Sequence, residues 1–314
     1  MDVKELATKI LSKPDFYIYQ FKQDVFNQLE DIYRYYCQKS SWNRVINQKE
    51  IRVAGLKRTG NHAIIYWIEE QEKLSKQCCV LNNVKVNENP YRYKYQNLKY
   101  YFPQHQWAIN HYKKQSQGNF ILRDCLVYSY EDYSLPKIFS NHFEKKHDLY
   151  LGKALKRYDV IILRDPFNWF ASRLKSNFLE VKNYHLNLQN IWLQYAKEFL
   201  GKTKYLQHNK ICINYNLWVK DIDYRREIAS KLDLEFTDTG INKVSSLGGG
   251  SSFDNISLDG QANKMNVETR WMHYLDDSYY KKLINNQEIL EYSAKIFGNI
   301  AGTETLLKSL NVCC

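Results

Sequence analysis

The chain has 314 residues, 44% of them hydrophobic and 25% charged, the proportions of a soluble globular protein that buries its own core without staples. Forty-five Lys and Arg against 34 Asp and Glu leave a net charge of +11. That surplus attracts anions of any kind, but its scatter, without an Arg-rich arm, zinc-finger spacing or RNA-recognition signature, argues against specific nucleic-acid recognition. The seven Cys show neither CxxC spacing nor a nearby His array, which excludes a disulfide framework and a zinc site.

The opening MDVKELATKILSKPDF lacks the apolar core of a signal peptide, and no stretch approaches the ~20 apolar residues that span a bilayer. A cytoplasmic location with no membrane span is therefore expected. Residues 1 to about 45 read as an N-terminal helical extension, with Tyr17, Phe21, Val25, Leu29, Ile32 and Tyr36 spaced three to four apart. Residues 46–314 read as one α/β domain. Ile51, Val53 and Ala54 form a short buried strand that breaks at Gly55 and precedes a helix over Asn61 to Gln71. Cys78–Leu81, ending in Asn82-Asn83, and Phe120–Leu122, ending in Arg123-Asp124, read as parallel strands stopping at polar edges. Asn87 to Gln117 shows no period and reads as irregular.

Asp159 to Leu163 is the clearest strand, followed by Arg164-Asp165-Pro166 and a helix through Leu174. Leu186–Leu200 is a helix, Lys210–Ile213 a strand, Asp223–Leu232 a helix, Gly248 to Ser252 a flexible loop and Asp277–Phe297 a closing helix. Cys313-Cys314 reads as an unmodified frayed end rather than a lipidation site. Alternating strands and helices predict a three-layer sandwich around a mostly parallel central sheet.

Two loops carry chemistry. The first, Gly55-Leu56-Lys57-Arg58-Thr59-Gly60-Asn61-His62, joins a strand to a helix. Its glycines let backbone N–H groups converge, the helix start adds partial positive charge, and Lys57 and Arg58 add full charges, together a cradle for phosphate or sulfate. It is not a Walker A loop, because Asn61 and His62 stand where the lysine and metal-binding hydroxyl would be. The second, Arg164 to Ser172, follows a strand end, where open α/β sheets bind ligands. Arg164 offers a fork of donors, and Ser172, two helical turns on, adds a hydroxyl. Two separated anion sites suit a ligand with two separated acidic groups; a tight turn with solvated cations and a capped helix are the structural alternatives.

The first loop, in its Lys-Arg-Thr-Gly-Asn-His form, resembles the 5′-phosphosulfate loop of sulfotransferases that use 3′-phosphoadenosine 5′-phosphosulfate (PAPS). Arg164-Asp165-Pro166-Phe167-Asn168-Trp169-Phe170-Ala171-Ser172 resembles that family's 3′-phosphate motif, and the similarity spans about residues 50 to 300. The resemblance implies a P-loop-type fold, PAPS as donor with 3′,5′-diphosphoadenosine (PAP) as product, and no metal. It implies that Lys57 stabilises charge on the leaving phosphate, that Arg58, Thr59, Gly60, Asn61 and His62 surround the 5′ end, and that Arg164 and Ser172 hold the 3′-phosphate. A late Gly-rich segment, from Gly248 through Gly250, Ser251, Ser252 and Phe253, with Arg270 and Trp271 beyond, is the loose counterpart of one that folds over the adenosine.

The acceptor hydroxyl needs a general base. His111, Asp124, Glu131, Asp132 and His62 are candidates, and Glu131 is preferred because aromatic neighbours in Ser129 to Tyr133 favour proton uptake. Tyr91 to Lys114, aromatic and basic, would suit an acceptor, expected to be a carbohydrate or small hydroxylated metabolite. Two alternatives stay open: a non-catalytic protein of P-loop ancestry that binds acidic glycan or nucleic acid, and a nucleotide or sugar kinase.

Overall fold

A computed structural model of the chain describes residues 14–38, 42–71, 77–182, 186–246 and 250–310. Five strands, β1 (Val45–Gly55), β2 (Cys78–Leu81), β3 (Arg123–Glu131), β4 (Lys153–Leu163) and β5 (Ile211–Asn214), pair in the order β2-β3-β1-β4-β5. Every pairing is parallel. Among the described residues the α-helices are α1 (Pro14–Cys37), α2 (Asn61–Gln71), α3 (Pro90–Tyr101), α4 (Gln106–Ser116), α5 (Leu135–Ile138), α6 (Asn141–Leu151), α7 (Pro166–Lys175), α8 (Leu188–Phe199), α9 (Tyr215–Lys220), α10 (Ile222–Lys231), α11 (Ser278–Ile284), α12 (Gln287–Phe297) and α13 (Thr303–Ser309).

A parallel sheet needs a helical layer on each face, and alternate strand residues supply both cores. Ile51, Val53, Val127 and Ile162 pack with Ile64, Trp67 and Ile68 of α2. Ala54, Tyr128, Tyr130, Ile161 and Leu163 pack the other way, with Trp169 and Phe170 of α7 and Trp192 of α8. The expected three-layer α/β architecture is present, and its described sheet is parallel throughout.

Several boundaries differ from the sequence reading. β3 begins at Arg123, so Arg123 and Asp124 open that strand instead of ending one, and Ile121 and Leu122 lie exposed before it. The buried run is Cys125 to Glu131, the strand's last residue. Asn87–Gln117 is ordered as α3 and α4; Asn89 caps α3, accepting from the N–H groups of Tyr91 and Arg92, with Pro90 in the first turn. Tyrosine occupies both faces of that helix, Tyr91 buried and Tyr100 and Tyr101 exposed, which erases the apolar period. The closing helix is two, α11 and α12; Asn286 restarts the second by accepting from the Ile289 N–H. Residues 1–13, Gly248, Gly249, Cys313 and Cys314 lie outside the described residues. No helix among the described residues is long and apolar enough to cross a membrane.

Polar contacts join α1 to the body. Asp31 accepts from Arg92 at 2.8 Å and from the Tyr150 hydroxyl at 2.7 Å, while Arg34 donates to the carbonyls of Ser116 and Leu149.

The first half of β1 carries a buried ionic network. Glu50 accepts from His147 Nε2 at 2.8 Å, Tyr128 Oη at 3.0 Å and Arg157 Nε at 3.2 Å. Arg52 bridges Asp159 and Glu144. Burial alone would raise the Glu50 carboxyl, but the His147 ring, with Arg157 and Arg52, outweighs it and holds the group at about 2 against an ordinary 4.5. Burial likewise opposes charge on His147, and Glu50 outweighs it, raising the imidazole above 6.5.

The Glu50 contribution is complete above pH 4.5 and is lost as pH falls toward 2. That of His147 is complete below 6.5 and is lost as pH rises through its raised value. Stability against urea should therefore decline on both sides of the window between those ordinary values. Glu50→Gln, which strands buried cations, should cost about 3–5 kcal/mol and flatten the acid limb; an unchanged acid limb in the urea midpoints would show that the pair does not act as described.

Candidate functional site

Register sets the site. Gly55 pairs with Glu131 on one side and with Ile162 on the other, so the loop after β1, the end of β3 and the turn after β4 arrive side by side. This is also where the chain switches from one side of β1 to the other, the place where open parallel sheets leave a crevice. A cleft of about 400 Å³ opens there, and Lys57, Arg58, His62, Glu131, Arg164 and Arg270 all line it.

The β1–α2 loop is held by its own polar side chains. Asn61 Nδ2 donates to Leu56 O at 3.0 Å and to Glu131 Oε1 at 3.1 Å. Thr59 Oγ1 lies 2.7 Å from Leu56 O and 2.8 Å from Asn61 Oδ1. A Cβ on Gly55 would sit 1.9 Å from Asn61 Oδ1, and one on Gly60, whose φ is +90°, would sit 2.1 Å from the Tyr215 ring; both glycines are required for that close approach. Gly60, Asn61, His62 and Ala63 line the cleft, so the start of α2, with N–H groups lacking intrahelical acceptors, faces it.

A bracket beneath fixes the loop to α7. Asp132, buried with φ +62°, accepts from the Lys57 N–H at 2.8 Å and from Arg173 Nη1 at 2.8 and 2.7 Å. Trp169 Nε1 donates to Lys57 O at 2.8 Å.

Three arginines crowd one part of the cleft. Arg164 Nη1 donates to Ser172 Oγ at 3.1 Å, its Nη2 donates to Val267 O, and its guanidinium lies 5.2 Å from the Tyr215 ring centre. Arg270 reaches the same Ser172 Oγ at 3.4 Å, Ser251 Oγ at 2.7 Å and Asp254 at 3.3 Å. Arg58 Nε donates to Ser252 Oγ at 2.6 Å. Burial, then the charge of Arg164, push the Arg58 guanidinium down, and the same two causes bring Arg270 down to about 10. Arg270 Nε is buried with no partner among the described residues.

Elsewhere in the cleft, Lys57 Nζ sits 4.8 Å from the Phe178 ring centre, and Glu131 Oε1 lies 3.5 Å from His62 Nε2. Ser129 Oγ accepts from the Asn83 N–H and donates to Asn82 Oδ1, which turns the Asn82 amide N–H toward His62 Nε2 at 3.0 Å. The immediate partners of Glu131 are thus Asn61 and His62 rather than the neighbouring tyrosine rings. Lys182 Nζ donates to Asn83 at 2.7 Å, and burial, reinforced by Lys57, pushes its ammonium down.

Of the residues singled out in the sequence, Gly250, Ser251 and Ser252 line the cleft, and Ser172 is buried behind Arg164 and Arg270. Thr59 is fully buried, its N–H bonded to Leu56 O at 3.1 Å, so it shapes the loop. Phe253 supports Arg270, whose guanidinium lies 5.0 Å from the ring centre. Trp271 is buried and is not among the residues that line the cleft. Asp132 is committed to its bracket. Asp124 lies at the opposite end of β3, and His111 on α4 bonds Gln115; neither reaches the cleft, and no residue of the Tyr91–Lys114 segment lines it.

Sequence reasoning missed Tyr215 and Trp218, whose stacked rings, 6.1 Å apart, form a wall of the cleft; their position just after β5 was the available signal. It also missed Phe178, which lines the cleft, and Lys182, which bonds Asn83 of the lining, on a segment with no pattern of its own.

No family model and no curated protein matches the sequence. Among solved structures, the chain is similar to the sulfotransferase domain of the Synechococcus PCC 7002 olefin synthase, with a TM-score of 0.45 and 11% identity over 81% of this chain and 96% of that one. It is also similar to mouse sulfotransferase SULT7A1 complexed with PAP, with a TM-score of 0.41 and 10% identity over 87% of this chain and 93% of that one.

The Asp132 bracket yields a test. Arg173→Ala leaves a buried carboxylate unpaired and should cost about 3–5 kcal/mol in urea unfolding. Asp132→Ala combined with Arg173→Ala should cost less than the separate losses added together; additive losses would mean that the two side chains do not act as a pair.

Proposed function

We propose that the protein is a sulfotransferase that moves a sulfuryl group from PAPS to a hydroxyl of a carbohydrate or small-molecule acceptor. One observation carries the reading: cations from two strand-end loops and from the late Ser251–Arg270 segment converge on a single cleft that also holds a buried carboxylate, Glu131. Arg58, Arg164 and Arg270 repel one another in a buried setting, and that concentration of positive charge matches a ligand bearing acidic groups at two positions.

The residues fit the donor. Arg164, Ser172 and Arg270 would hold its 3′-phosphate, the unpartnered Arg270 Nε adding a donor. Lys57, Arg58 and the start of α2 from Gly60 would hold the 5′ end, and the Tyr215–Trp218 wall suits a purine ring. When bound, the donor supplies the sulfuryl group. Glu131, aligned by Asn61, receives the proton of the acceptor hydroxyl, with the His62 ring beside it. Lys57 provides positive charge where the leaving phosphate gains negative charge, worth most in the transition state. Asn61 and His62 in place of Lys and Ser or Thr disfavour a kinase.

PAP should raise the melting temperature, with stabilisation of about 2.7 kcal/mol at a hundredfold excess over Kd, and AMP should do little. Arg164→Ala should erase most of the preference for PAP over AMP. Equal indifference of the wild type to both nucleotides would point to a non-catalytic binder instead.

With labelled PAPS and a panel of hydroxylated acceptors, Lys57→Ala should lower turnover about 10²–10³-fold while its melting temperature stays close to that of the wild type. Retained turnover would remove Lys57 from the chemistry.

A further inference from the structure

The first helix is amphipathic in the reverse sense. Its inward face is polar: Asp31 and Arg34 are buried against α3, α4 and α6, and Asn27 and Glu30 lie on the same side, Glu30 bonding Arg92 at 2.7 Å. About half a turn round, at 3.6 residues per turn, Ile18, Phe21, Val25, Leu29, Ile32 and Tyr36 form a straight apolar stripe flanked by Phe26 and Tyr33. All eight side chains are between 40% and 77% exposed. A helix normally turns such a stripe toward the core, and exposed apolar patches of this extent mark interaction sites.

We infer that this stripe is a dimer interface and that its occupant is the same stripe of a second copy. Its exposed apolar area is on the order of 800 Å², at the 150–250 Å² that each large side chain can bury, and a standard interface takes about 800 Å² per partner. The charge of the helix argues against an anionic lipid surface. In a chain of net charge +11, α1 carries Lys22 and Arg34 against Asp15, Asp24, Glu30 and Asp31, whereas helices lying on membranes carry Lys and Arg along the polar face.

The stripe is also self-complementary, as a two-fold contact requires. With the axis level with residue 27, antiparallel packing sets Val25 against Leu29 of the second copy, Phe21 against Ile32 and Ile18 against Tyr36, so aliphatic groups meet at the centre and each ring meets an aliphatic partner outside.

Sedimentation equilibrium of the full chain at micromolar concentration should give twice the 37.6 kDa chain mass. Leu29→Glu should be monomeric at the concentration where the wild type is dimeric, with an unchanged far-UV circular dichroism spectrum. Val25→Lys alone should also be monomeric, and mixing the two variants should restore a dimer, because one Lys–Glu pair and one native Val–Leu pair then form. A monomeric wild type, including one that floats with phosphatidylglycerol vesicles, would overturn the inference, as would a Leu29→Glu variant that stays dimeric or a mixture that stays monomeric.

Discussion

Crowding Arg58, Arg164 and Arg270 into one buried cleft opposes itself, and much of the surrounding architecture serves to hold that arrangement. Burial and mutual repulsion lower the guanidinium groups of Arg58 and Arg270, so each would relax outward if its stem were free. None is free to do so. Ser172, Ser251 and Ser252 receive their N–H groups, and Phe253 and Tyr215 lie against two of them. The loop carbonyls are pinned as well: the Trp169 indole donates to Lys57 O and the Trp192 indole to Arg164 O. Core tryptophans thereby set the position of the charged loops, and the apolar layer and the cleft are one construction.

The central strand treats charge in opposite ways at its two ends. Toward its start, Glu50 and Arg52 sit in a network where Glu50, Glu144 and Asp159 balance Arg52, Arg157 and charged His147. At its finish, cations outnumber acids, and Glu131 is tied to Asn61 rather than to an arginine. A balanced buried network confers position at a modest net energy. An unbalanced one costs stability and is retained where a ligand gains from it. The same strand thus carries a paired charge network at its start and a surplus of cations at its finish.

What the sequence made legible follows from how local each signal is. The two anion loops could be read because a strand, a glycine or proline break and a helix start are consecutive residues. The pairing of Arg164 with Ser172 could be read because an eight-residue separation on a helix is fixed geometry. Register was not legible, and register is what brings Glu131 beside Gly55. The start of β3 was misplaced because Tyr128 and Tyr130 serve as core residues while alternating with Ser129, and the α3–α4 segment was obscured because tyrosine faces both core and solvent. The Asp132–Arg173 bracket joins residues 41 apart, a relation that no local pattern carries. Phe178 reaches the cleft, and Lys182 bonds Asn83 of its lining, from a segment without periodicity, so only the folded chain assigns them there.

The position of α1 bears on how the cleft could operate in an assembly. Its polar face is anchored at Ser116, just before β3, and at Leu149, just before β4, which places the anchor toward the edge where the parallel strands begin. The cleft lies at the edge where they end. Parallel strands of nine and eleven residues separate those edges by roughly 30 Å at about 3.3 Å per residue. Pairing through α1 would therefore join two chains on the sides remote from their clefts, leaving both clefts open. The inverted amphipathicity of α1 then has a physical logic. Polar residues form a fixed attachment to the body, where partners such as Arg92 and Tyr150 satisfy them, and the apolar residues would be left for a contact surface remote from the cleft.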